Sequence, residues 1–161
     1  GYTFDASILG RPDMSRRAYQ TGVTMGSELL AQGDKIPSFL VWAVADANGQ
    51  PLQRAQVVKG WVSNGEPQEQ VFDVACSGNA TVDPISHRCP NNGAKVNLAD
   101  CSTTAGTGAV ELKTLWRDPT FRPEQQAFYY VRVLENPSCR WSTFWPTQTL
   151  PQSSGSWTHP T

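Results

Sequence analysis

Ala127-Phe128-Tyr129-Tyr130-Val131-Arg132-Val133-Leu134 is the stretch that decides the architecture of this chain. It is short, dense in aromatic and β-branched side chains, and preceded by a turn bracketed by Asp118-Pro119 and Arg122-Pro123, so it reads as a strand rather than a helix. Upstream of that turn, Val110 to Trp116 has the same character, with Val110, Leu112, Thr114 and Trp116 sharing one face. Ser102–Gly108 is a flexible run by composition, and Val96 to Cys101 before it reads as a short strand.

The same signals extend toward the N-terminus. Phe39 to Ala45 is apolar on both faces, the pattern of a strand at the centre of a sandwich. Asp46-Ala47-Asn48-Gly49-Gln50-Pro51 supplies turn residues. It is not a calcium loop, because Val57 stands where the bidentate Glu would be required. Ala55 to Val62 and Gln70 to Cys76 flank Asn64-Gly65, a hairpin signal with a loop longer than the two-residue type. Residues 77–95, rich in Ser, Gly, Asn, Pro and Asp, form a surface excursion. Only residues 1–35 have helical character: Arg11-Pro12-Asp13-Met14 opens a helix, Asp13 favours its positive end, and Gly22 stops it. About seven strands at this spacing define an all-β protein. The expected fold is an immunoglobulin/fibronectin-III-like two-sheet sandwich with a short N-terminal helical segment and long loops. A Tyr at the start of the late strand resembles the corner that braces such sandwiches. The expected organisation is a helical and linker segment over 1–35, the sandwich over 36–145 and a flexible tail over 146–161.

Composition agrees. The 161 residues fit one domain, and 13 Gly, 12 Pro and only 17% charged residues favour a loop-rich β protein over a helical bundle. A net charge of −1 provides no field to attract nucleic acid or an anionic membrane, which excludes both as partners. The longest uncharged stretch, Ile36 to Ala45, is about half of what a membrane span needs. No cationic-then-apolar leader opens the chain. Together with the cysteines this reads as a piece cut from a longer exported protein.

Cys76, Cys89, Cys101 and Cys139 contain no Cys-x-x-Cys pair. Structural zinc recruits ligands in close pairs, and only His87 and Cys89 are close, so two disulfides are the better reading. Four cysteines allow three pairings; the preferred one closes the surface loop with Cys76–Cys89 and joins two strands with Cys101–Cys139. Disulfides place the protein in the periplasm or outside the cell. Ser86-His87 lacks the strained turn of a nucleophile system and has no orienting carboxylate beyond Asp83, so His87 reads as an exposed loop residue, and His159 falls in the tail. Asp118 and Glu124 read as parts of a turn rather than a catalytic pair. Asn79-Ala80-Thr81 fits a glycosylation acceptor. Trp42, Trp61 and Trp116 are expected in the core, whereas Trp141, Trp145 and Trp157 fall outside the clear strands.

Several segments in order carry a family resemblance: Gly10-Arg11-Pro12-Asp13, Gly22-Val23-Thr24-Met25-Gly26, Gln56-Val57-Val58-Lys59-Gly60-Trp61 and Val71-Phe72-Asp73-Val74-Ala75. Trp116-Arg117-Asp118-Pro119, the strand ending in Glu135, and Cys139-Arg140-Trp141-Ser142 complete the set. Spread over most of residues 10–145, they resemble the C-terminal portion of the bacterial family called domain of unknown function 3604. Thr24 departs from the family's usual Pro. The resemblance implies an exported protein whose upstream region is similar to a metal-dependent hydrolase of the polymerase-and-histidinol-phosphatase type. It implies a divalent metal held there and no cofactor in this chain. This chain is then expected to be the non-catalytic C-terminal sandwich of a phosphoesterase-like enzyme, with the upstream catalytic domain as its partner. Gly22, Val23, Met25, Gly26, Arg140, Trp141 and Ser142 are its expected contacts, because Gly permits close approach and Arg and Trp favour interface cores. The alternative is a carbohydrate-binding module that stacks glycan on Trp141 and Trp145.

Overall fold

The computed structural model describes residues 1–144. These contain five strands: β1 (Ser38–Val44), β2 (Leu52–Ser63), β3 (Glu66–Cys76), β4 (Glu111–Arg117) and β5 (Ala127–Glu135). β1 pairs with β4, and β3-β2-β5 form a second sheet; every pairing is antiparallel. The two sheets enclose Val41, Leu52, Ala55, Val57, Phe72, Val74 and Leu112, with Trp116 and Tyr129 packed at the margin. The protein is therefore mostly β with two facing antiparallel sheets, a small sandwich of fewer strands than the seven expected. Val96–Cys101 is not one of them: only Val96 forms a bridge, to Thr103, and the residues between turn on Asx contacts from Asn97 and Asp100.

The β2–β3 hairpin is tighter than expected. Ser63 pairs with Glu66, so Asn64-Gly65 is the whole loop, and both residues have positive φ (52° and 81°). That is the two-residue turn whose twist matches the strands. Alternation along β2 turns Val57 inward and Val58 outward. It also turns Lys59 inward, where a charge needs a partner.

The N-terminal residues build a further layer. A 3-10 helix, Ala6–Gly10, capped by the Asp5 carboxylate on the Ser7 N–H, precedes α1 (Met14–Thr21), which Gly22 ends. Asp13 occupies the position before α1 without capping it; its carboxylate is drawn outward to the guanidinium groups of Arg11 and Arg17, both at 2.8 Å. Phe4, Ile8 and Met14 pack over Leu40 and Leu115, which lie side by side on the outer face of the β1–β4 sheet. Gly22 is tight for this reason, since a Cβ there would meet the Phe4 ring at 2.9 Å. The layer stops short of Trp42, which is 50% exposed beside Lys113. Trp42 is thus not a core residue as expected. Among the described residues β1 is a sheet edge rather than a central strand, and its outward residues beyond Leu40, Trp42 and Val44, are exposed. Trp61 and Trp116 are half-buried.

Candidate functional site

Disulfides join Cys76 to Cys89 and Cys101 to Cys139. Cys76 ends β3 and Cys89 lies in the long loop, so the first bridge folds that loop back onto the sheet. The second does not connect two strands as expected: Cys101 sits in the Asn97–Thr103 turn at φ 58°, and Cys139 follows β5. It pins the chain leaving the sandwich to the long loop region. α2 (Trp141–Phe144) comes directly after it.

Asp73 holds the first loop in place. Its buried carboxylate accepts from Arg54 Nη1 (2.7 Å), Gln56 Nε2 (2.6 Å) and the Cys89 N–H (2.7 Å). Burial alone would raise this carboxyl, but those three donors outweigh it and hold it below the ordinary range. His87 is half-buried here rather than exposed, its ring 5.1 Å from Phe72 in an edge contact. The Asp83 carboxylate accepts from Ile85 and Ser86 rather than from the His87 ring, and the His87 backbone N–H donates to the Asp83 carbonyl at 2.9 Å. Farther along, Asn136 donates to the Thr107 carbonyl and accepts from Asn92, which ties both loops to the end of β5.

A second buried cluster lies at the other end of the strands. Lys59 Nζ donates to Asp118 Oδ2 at 2.7 Å and to the Thr120 carbonyl at 2.9 Å. Asp118 also accepts from the Thr120 N–H and hydroxyl and from the Tyr129 phenol (2.8 Å). Burial pushes the Asp118 carboxyl up, and these donors together pull it below the ordinary carboxylate range. The Tyr129 phenol is raised by burial and by that carboxylate. Asp118 therefore belongs to a structural corner and has no pairing with Glu124, which is exposed. Sequence reasoning missed Lys59 as a buried charge. The signal was its place on the alternation shared with Val57.

The expected contact residues divide into two groups. Gly22 rests on Phe4 near Gly1, whose carbonyl binds the Ser38 N–H at the start of β1. Arg140, Trp141 and Ser142 follow the far end of β5, where Asn136 meets Pro51. The strands run between these ends, so the geometry does not bring the groups together. Within them Met25 is 83% exposed and Trp141 79% exposed. Trp145 lies outside the described residues, as do Trp157 and His159. Among the described residues, no three His, Cys, Asp or Glu side chains are placed to hold a metal ion, and no helix is long and apolar enough to cross a membrane.

Two facing antiparallel sheets, an added N-terminal layer and loops held by disulfides define a disulfide-containing β-sandwich. The sequence profile of the family described as protein of unknown function DUF3604 matches residues 1–155, and the chain belongs to that family. No curated protein and no solved structure matches it.

Proposed function

We propose that this chain is the non-catalytic C-terminal sandwich of an exported metal-dependent phosphoesterase-like hydrolase and packs against the catalytic region of the same polypeptide. The observation that carries this is the half-covered outer face of the β1–β4 sheet. Phe4, Ile8 and Met14 seal Leu40 and Leu115, but Trp42 and Val44 continue the same face in the open. The segment after α1 adds Val23, Met25, Leu30 and Ile36, all exposed. Exposed apolar side chains beside a packed layer are the kind of surface a protein interface uses. The two disulfides support export, and the divalent metal belongs to the upstream region.

The finer fold reading also stands as a proposal. The orders β1-β4 and β3-β2-β5 correspond to strands B-E and C′-C-F of an immunoglobulin or fibronectin-III sandwich. Tyr129, near the start of β5 and bonded back to Asp118, takes the position of the corner tyrosine.

Hydroxyl-radical footprinting tests the packing. Met25 and Trp42 should oxidise readily in this chain alone and be protected in the polypeptide that includes the upstream region. Equal oxidation in both would overturn the proposal.

A further inference from the structure

The other sheet also has an outer face, and it is built differently. Phe128 and Tyr130, two residues apart on β5, point away from the core and sit opposite Gly60 and Val58 of β2. Gly60 has no Cβ, and one added there would collide with the Phe128 ring, so the ring lies directly on the β2 backbone. Phe128 remains 62% exposed. Its ring and that of Tyr130 are 6.4 Å apart and within 10° of parallel.

Beside Phe128, where the β2–β3 hairpin meets the turn before β5, an open groove of about 480 Å³ includes Trp61, Gln68, Glu69, Glu124 and Gln125 in its lining. Among the described residues no Lys or Arg lines it. The Gln125 Oε1 atom is buried and finds no hydrogen-bond partner among the described residues. A buried acceptor without a donor is unfavourable, which favours a turn of the Gln125 side chain toward the groove, where a ligand hydroxyl can donate to it.

We propose that this groove and the adjoining Phe128–Tyr130 strip bind a neutral saccharide chain. Its ring faces would lie along the aromatic side chains, and a hydroxyl would donate to Gln125. Two carboxylates and no cation in the lining disfavour an acidic glycan. A small quaternary cation would call for rings closing round it from different angles, whereas Phe128 and Tyr130 are near-parallel and open along the strand. The site lies on the sheet opposite the N-terminal layer and is independent of the packing proposed for that layer. It also lies at the opposite end of β5 from Trp141.

The test titrates the chain, by calorimetry, with cellohexaose, xylohexaose, mannohexaose and an oligogalacturonate of similar length. Saturable binding of at least one neutral hexasaccharide and none of the oligogalacturonate is expected. Phe128→Ala should weaken binding by at least about tenfold, the scale of a central aromatic contact. Gln125→Leu should weaken it less, and Trp141→Ala should leave it unchanged. Should Phe128→Ala lose its fold by circular dichroism, Tyr130→Ala carries the same expectation. Absence of binding to all three neutral chains, binding that survives the aromatic substitution, or loss of binding in Trp141→Ala would overturn the proposal.

Discussion

Replacing Lys59 with Met is the sharpest perturbation the fold offers. Met matches the length of the lysine stem and removes only the ammonium group. The Asp118 carboxylate, fully buried, then loses Lys59, its one cationic partner among the described residues, and keeps the Thr120 and Tyr129 donors. Breaking a buried pair from one side costs about 3–5 kcal/mol. The donors that remain place this case near the lower end, about 3 kcal/mol. With a urea m-value of about 2 kcal/mol/M, the midpoint should fall by about 1.5 M at unchanged slope. For a chain of this size the melting temperature should fall by about 6–12 °C. Tryptophan fluorescence against urea at pH 7, with disulfides intact, reads the shift. The penalty should shrink on acidification, because protonating an unpaired buried Asp118 relieves it. A loss below about 0.5 kcal/mol, the scale of an exposed pair, or a penalty that does not narrow in acid would refute the reasoning.

Asp73 and Asp118 both have folded-state carboxyls held below their unfolded value, so the stability they contribute is complete above about pH 4 and is lost as pH falls through the depressed values. Thermal unfolding should be level from pH 5 to 8 and drop below pH 4. Tyr129 is shifted the other way, so its contribution is complete below about pH 10 and is lost above it, and Tyr129→Phe should flatten the alkaline fall. Asp73→Ala leaves the Arg54, Gln56 and Cys89 donors without their acceptor and should cost about 3 kcal/mol. Hydrogen exchange should show the Cys89 amide losing protection. Converting Cys101 and Cys139 together to Ser should lower stability by about 2–4 kcal/mol in denaturant titration. Non-reducing peptide maps of the parent should show only Cys76–Cys89 and Cys101–Cys139 links.

What could be read from residue order was the local part of the fold. β2, β3 and β5 announce themselves through β-branched and aromatic runs between turn residues, and α1 through its proline entry and Gly22 exit. The hairpin loop is shorter than its sequence suggests, because apolar character fades at Val62 and Gln70. Backbone pairing continues through Ser63 and Glu66 regardless of polarity. Trp42 reads as a core residue because an all-apolar strand looks the same in sequence whether its second face meets a sheet or a partly covering loop layer. The Lys59–Asp118 pair spans 59 positions, and no local pattern links them. Gly60 looks like a strand defect in sequence, and its use becomes visible only when Phe128 is seen lying over it.

We propose that this sandwich serves as a packing body for a metal-dependent reaction that resides upstream of it. The most direct test measures bound metal and hydrolysis of bis(p-nitrophenyl) phosphate, with Mn²⁺ or Zn²⁺ supplied, for this chain alone and for the polypeptide carrying the upstream region. The account predicts metal and turnover only in the longer polypeptide. Turnover by this chain alone, with metal held by its own side chains, would contradict it.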